Sequence, residues 1–279
     1  MAEVDKVFVI LDPTTLEQPS LIMAESIAKR GAKAALHVYC SLNEKSIQAE
    51  AGVEPEQTYA NARERVEDWI ERLVAPSREL GLSVETEVEI SENWRTATVA
   101  AVARQNCLLA IKARSPMNSR RRLFREASDW QLLRDLVCPV YLVKTSPTRR
   151  PGKVLAAIKH RTEKRVYTEA NELIIQTARG IATGFDAELH VVTAYKNDFY
   201  YPDRQKFADR CGLPRNQVRA EMGASAEAIT KVAKEIGADL VVIARVGKQS
   251  TKRDVGHTAE KVIATLDTNL LVLPLTEST

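Results

Sequence analysis

The chain has 279 residues, 44% hydrophobic and 28% charged, the make-up of a globular protein long enough for two domains. Lys and Arg number 40 against 37 Asp and Glu, a net charge of +3, which is too balanced for a dedicated nucleic-acid binder. No apolar run approaches the roughly 18 residues that span a membrane, and MAEVDKVFVI lacks a basic stretch followed by a long apolar core, so we expect a cytoplasmic protein without membrane insertion.

In chain order, VFVIL (Val7–Leu11) is an apolar run suited to a strand buried on both faces. A helix follows near Ser20–Arg30, with Gly31 at its C-cap. Strand Ala35–Tyr39 and a long helix, Tyr59–Leu80 closed by Gly81, come next. Val84–Ile90 alternates apolar and acidic residues, the pattern of an edge strand. Helix Arg95–Arg104, strand Cys107–Ile111, helix Ser128–Leu136 and strand Val140–Lys144 complete a first copy. Ser128 with Gln131 reads as a capping box. Arg120–Arg122 with Arg125 form a basic cluster, read as a solvated surface or an anion contact.

The order then repeats. Gly31–Val38 reads GAKAALHV and Gly184–Val191 reads GFDAELHV, with five of eight positions identical at an offset of 153. Cys107–Ile111 stands against Asp239–Ile243, and Cys138–Val143 against Thr268–Leu273. The second copy has strands at about 153–158, 188–194, 217–221, 239–243 and 269–273, and helices at about 167–182, 202–211, 225–236 and 257–266. Alternating strands and helices imply an α/β fold of two tandem, Rossmann-like open-sheet domains, each a five-stranded parallel sheet with helices on both faces. TSPTRRPGK (Thr145–Lys153) reads as a linker, which gives domains 1–147 and 151–279. In such sheets ligands sit beyond the carboxyl ends of the strands where the order reverses, so the residues after Leu11, Ile111, Ile158 and Ile243 are the ones to inspect.

Cys40, Cys107, Cys138 and Cys211 include no C-x-x-C pair and read as reduced, buried thiols. Zinc spacings are lacking, so no metal is expected. His37 and His190 hold equivalent strand positions, which favours core packing or a satisfied buried hydrogen bond over a ligand role. GKQST (Gly247–Thr251) is no Walker A motif, because Gln249 follows the Lys and Val242 fills the earlier glycine slot.

VFVILDPT at the start, SDWQLLR (Ser128–Arg134) before CPVYLVK, and GHTAEKVI before LLVLP resemble the universal stress protein family in its tandem, E-type form. The resemblance covers essentially the whole chain. It implies an adenine nucleotide alpha hydrolase-like fold, with the two domains packed as a pseudo-dimer. Nucleotide-binding members carry an Asp after the first strand and a loop of Gly, two residues, Gly, nine residues, Gly and then Ser, Thr or Asn. Glycines let backbone N–H groups approach phosphate oxygens, and the following helix N-terminus favours anions.

Asp12 matches the family Asp, and reads either as turn formation with Pro13 and Thr14 or as a ligand carboxylate. The first domain has no glycine in its loop after Ile111. The second has Lys159 where the Asp belongs, Ala244 at the first glycine, and Gly247 and Gly256 at the others with eight residues between. His257 takes the hydroxyl position and Thr258 is adjacent. Both nucleotide sites are therefore degenerate. Lys159 reads as a surface lysine, or as a charge that makes the mouth an anion pocket. Tyr195–Phe207 holds five aromatics in thirteen residues in a chain only 5% aromatic. Its Phe199, Tyr200 and Tyr201 read as helix packing, an apolar ligand wall or a subunit interface. The short helix after this segment is expected to leave a groove over the sheet.

The expected function is a non-enzymatic stress-response protein, a ligand-sensing or interaction scaffold, with no catalytic residues and no resident cofactor. Alternatives are weak ATP or AMP binding through the second glycine loop, and binding of an apolar or phosphorylated small molecule in a cavity of the second domain. A homodimer is a further expectation.

Overall fold

A computed structural model describes residues 5–30, 34–47, 52–114, 132–144, 150–247 and 257–276. The capping box at Ser128, the basic cluster at 120–125, Gly31 and most of the glycine loop, Gly256 included, lie outside the described residues. The chain divides into two compact units, Met1–Pro147 and Thr148–Thr279.

Unit 1 contains β1 (Lys6–Ile10), α1 (Pro19–Ala28), β2 (Ala35–Asn43), α2 (Pro55–Glu79), β3 (Val84–Ser91), α3 (Trp94–Gln105), β4 (Leu109–Ala113), α4 (132–135) and β5 (Val140–Val143). The strands lie in the order β3-β2-β1-β4-β5 and pair in parallel throughout. β1 is central and buried from Val7 to Ile10, as its unbroken apolar run requires. α2 begins four residues before Tyr59, because Pro55 sits in its first turn, where a missing N–H costs nothing. Gly81 just beyond it has φ +81°, a conformation that suits glycine. The buried Ser20 hydroxyl donates to Ile10 O at 3.0 Å and ties α1 to the end of β1.

Unit 2 repeats the plan with β6 (Lys153–Ala157), α5 (Arg165–Phe185), β7 (Glu188–Tyr195), α6 (Arg204–Cys211), β8 (Val218–Met222), α7 (Ser225–Ile236), β9 (Leu240–Gly247), α8 (His257–Thr265) and β10 (Asn269–Thr276). The parallel order is β8-β7-β6-β9-β10. α7 buries Ala226, Ile229, Val232 and Ala233. A fully buried Ile or Val side chain contributes about 1.5–3 kcal/mol.

One boundary differs from expectation in a way that matters. β9 does not end at Ile243 but runs to Gly247, paired with β10 through Gly247 and Thr276. Ala244, expected in the loop, is instead a strand residue opposite Leu273. The alternation Ala-Arg-Val sustains the ladder, and β10 is long enough to partner it.

The two equivalent histidines are both buried. His37 stacks on Phe8 at 5.1 Å, and its Nε2 lies 2.7 Å from Glu87 Oε2. His190 Nε2 lies 3.1 Å from Glu188 Oε1, but neither of its ring nitrogens has hydrogen-bond geometry. Both positions are thus core positions, as expected, and His37 adds a side-chain hydrogen bond. Among the described residues no cluster of His, Cys, Asp and Glu could hold a metal ion. No described helix is long and apolar enough to cross a membrane.

Candidate functional site

In unit 2 the strand order reverses between β6 and β9. A cavity of about 800 Å³ opens there, at the carboxyl ends of β6, β7 and β9.

Its framework is the segment after β6, fixed from three sides. Ile158 N donates to Val192 O at 3.0 Å. Lys159 gives its N–H to Asn171 Oδ1 at 2.9 Å and accepts at its carbonyl from Asn171 Nδ2 at 2.8 Å. His160 N donates to the buried Thr193 hydroxyl at 3.0 Å, and both terminal nitrogens of Arg210 reach His160 O at 3.3 Å. Each peptide group of this irregular segment therefore meets a partner on β7, α5 or α6.

The floor is apolar, with Ile158, Ala170, Ile174, Val192, Ile229 and Ile243 all buried. The rim is cationic. Lys159, Arg161 and Lys196 line the cavity, and no described lining residue is acidic. Lys159 Nζ lies 4.2 Å from the Tyr167 ring centroid, and the Arg161 guanidinium 5.7 Å from that of Tyr200. Gly223, Ala224 and Ser225 bring the start of α7 to the wall. Its N-cap is Ala224, which has no side chain to accept from the first-turn N–H groups. Thr258 and Ala259 bring the start of α8. Two helix N-termini, three cations and no described carboxylate make a setting for negative charge above an apolar floor.

His160 lines the same wall. Its ring meets Phe207 edge-on at 5.1 Å, and its Nδ1 is buried without a hydrogen-bond partner. Burial pushes its pKa below the ordinary 6.5, and the charges of Arg210 and Arg161 push the same way, so the free ring is neutral at neutral pH.

Of the residues singled out from the sequence, Lys159, Tyr200 and Thr258 meet at this cavity. Gly247 ends β9, and His257 opens α8 with its side chain outside the described residues. Phe199 is not a cavity wall. It is 81% exposed and packs edge-on against Tyr200. Tyr201 packs against Tyr195 at 5.3 Å and does not line the cavity either. α6 has eight residues against 25 in α2, and none of them lines the cavity, which lies at the ends of β6, β7 and β9.

Asp12 lies in unit 1 and serves its own turn. Its Oδ1 accepts from Thr14 N at 2.9 Å and Thr14 Oγ1 at 2.6 Å. Sequence reasoning passed over His160, Arg161, Lys196 and Asn171. The run Lys159-His160-Arg161 directly after a buried strand was the readable signal for the first two. Asn171 carries no motif and acts through backbone contacts alone.

Residues 186–274 match the model of the Universal stress protein family. The chain is 25% identical to Universal stress protein E of Escherichia coli (strain K12), with 98% of this chain and 95% of that protein covered. It is also 25% identical to the Universal stress protein E homolog of Haemophilus influenzae, with 95% and 96% covered. A putative universal stress protein from Pseudomonas aeruginosa UCBPP-PA14 superposes with a TM-score of 0.79 at 26% identity, covering 97% of this chain and 93% of that one. A universal stress protein from Archaeoglobus fulgidus shares the fold, with a TM-score of 0.73 at 15% identity and 98% and 97% covered. A family match in the second unit, full-length relatives of the E type and the same doubled α/β architecture agree in their direction: along its whole length the chain is similar to universal stress proteins.

Proposed function

We propose that this chain is a ligand-sensing universal stress protein of the bacterial cytoplasm that works without catalysis. Its sensing unit is unit 2, and its ligand is a small amphipathic anion. The observation that carries this reading is the cavity itself, an apolar floor under a rim of Lys159, Arg161 and Lys196 with no acidic residue among the described lining. The anion sits at the rim and the N-terminus of α7, and an apolar body fills the space over Ile174 and Ile229. Two features support a non-enzymatic role. The described lining offers no carboxylate base, and His160, its one described histidine, is flanked by Arg161 and Arg210 rather than by a paired nucleophile. The strongly exposed Phe199 gives the same unit an apolar point for an interaction surface.

A second reading, ATP or AMP binding, is favoured by Thr258 at the start of α8 on the cavity wall. Calorimetric titration with octyl sulfate, inorganic sulfate, ATP and AMP separates the two. Octyl sulfate binding more tightly than inorganic sulfate and than AMP supports the amphipathic anion. AMP or ATP binding most tightly supports the nucleotide reading, and phosphate release from ATP above the buffer rate overturns the non-enzymatic one. No binding of any probe overturns the cavity as a ligand site.

A further inference from the structure

His160 stands in this cavity in an unusual state. Its backbone is held by Thr193 on β7 and Arg210 on α6, which sets its Cα at the wall. Phe207 of α6 covers one side of its ring. The described charged groups around it are all cationic: Lys159 and Arg161 on its own segment, Arg210 on α6 and Lys196 just past β7. α5 faces the cavity with Tyr167 and Asn171, α7 with Ser225 and α8 with Thr258, none of them acidic. No carboxylate is among the described groups to stabilise an imidazolium here. A protonated ring would repel Arg161 and Arg210 and would carry an unpartnered Nδ1–H.

An anion in the cavity reverses that balance. It supplies the missing negative charge beside Arg161 and gives the ring an opposite charge to face. We propose that an anion entering the unit 2 cavity is bound together with one proton, taken up from solvent by the His160 ring. This rests on the anionic-ligand reading above and adds its regulation, because the cavity then reads pH and ligand together.

The direction follows from linkage. The ring of the free protein loses its charge at a pH below the ordinary histidine value of 6.5, and the complex keeps that charge over a window that opens there toward higher pH. Inside that window affinity rises as pH falls. Each unit by which the anion raises the ring's pKa is worth about tenfold in affinity. Sulfate probes are suited to the test, since they do not titrate near neutral pH and any proton taken up is the protein's.

The test is calorimetric titration of the full chain with octyl sulfate from pH 5.5 to 8, in buffers of differing ionisation enthalpy. The proposal expects uptake of up to one proton per anion and affinity about tenfold tighter at pH 5.5 than at pH 8. His160→Gln is expected to bind at its pH 8 strength throughout and to take up no proton. His257→Gln, altering the histidine that opens α8 beside Thr258, asks whether the proton is taken up there instead. The wild-type proton count stands even if a variant folds poorly. Octyl sulfate binding without proton uptake overturns this proposal and leaves the anionic-ligand reading intact. Loss of the dependence in His257→Gln rather than His160→Gln also overturns it. Absence of binding at every pH overturns both.

Discussion

Asn171 holds Lys159 by both of its backbone groups, exchanging bonds of 2.9 and 2.8 Å from the first turns of α5 to the end of β6. Unit 1 has the same device in different residues: Gln18 Oε1 accepts from Asp12 N at 3.0 Å, and Gln18 Nε2 donates to Asp12 O at 2.8 Å. In both copies an amide side chain at or near the start of the following helix secures the residue after the first strand. At that position the chain leaves the sheet and its peptide groups lose their ladder partners. We expect Asn171→Ala to cost about 1–2 kcal/mol in urea unfolding, since each bond contributes roughly 0.5–1.5 kcal/mol. It should also weaken octyl sulfate binding, because Lys159 and His160 lose their fixed positions. Unchanged affinity would show that this anchor does not shape the site.

The cationic rim predicts a dependence on charge and salt. Arg161→Glu places a carboxylate where the described lining has none. We expect affinity for octyl sulfate to fall about tenfold or more, by the few-ångström Coulomb interaction at the edge of solvent. Wild-type affinity should fall as salt rises from about 0.05 to 0.5 M, since the Debye length shrinks through the dimensions of the rim over that range. Affinity that ignores both changes would mean the apolar floor alone drives binding.

Cys40, Cys107, Cys138 and Cys211 are all buried. Burial pushes the Cys40 and Cys107 thiols up to about 12 and raises those of Cys138 and Cys211. The reactive species is the thiolate, which is scarce at pH 8 in such sites. A thiol-specific reagent at pH 8 should label none of the four rapidly in the native protein and all four in urea. Rapid labelling of one native thiol would locate a site of local opening.

Glu221 on β8 accepts from Lys231 at 2.6 Å, and Arg219 lies at 3.5 Å. The Lys231 bond, followed by the charges of Lys231 and Arg219, holds its pKa below the ordinary 4.5. A lowered folded-state value means the group stabilises the fold above about pH 4.5, and that contribution is lost as pH falls through the folded value. Glu221→Gln should therefore cost about 0.5–1 kcal/mol at pH 7, within the range for exposed pairs in a network, and progressively less as pH falls through the folded value. Thermal melts of both proteins across that pH range check the convergence.

The fold was readable because its signals are local and doubled. Runs such as VFVIL and LVVIA, short and rich in β-branched residues, read as buried strands, and the repeat at offset 153 supports the equivalence of the two units. The site was readable in part. Lys159 stands out as a charge where a carboxylate was expected, and Thr258 by its place at a helix start. Phe199, Tyr200 and Tyr201 are adjacent in sequence, yet a 3-10 turn over Asp198–Tyr200 sends them to different surroundings, and only Tyr200 lines the cavity. Asn171 and Arg210 act on backbone atoms far along the chain, and composition carries no trace of such contacts. The end of β9 was misjudged because Ala244 was weighed as a missing glycine rather than as a strand residue paired to β10.

Phe207 links the short helix α6 to the cavity. α6 has eight residues, too few to be stable alone. The Asp203 carboxylate caps its start, accepting from Gln205 N at 2.9 Å and Lys206 N at 3.1 Å, and Gly212 at φ +61° ends it. What docks it is the burial of Phe207, Ala208 and Cys211. Phe207 is 1% exposed, and its ring closes on His160. We expect Phe207→Ala to cost about 3–5 kcal/mol, as large-to-small core changes do. Because α6 packs chiefly on the edge strand β8, the loss should appear first as faster amide exchange in α6 and β8, with β6 and β9 still protected. Octyl sulfate affinity should fall with it, as Arg210 and the His160 ring lose their support. Uniform exchange across unit 2 would instead show that α6 and the central strands open as one cooperative body.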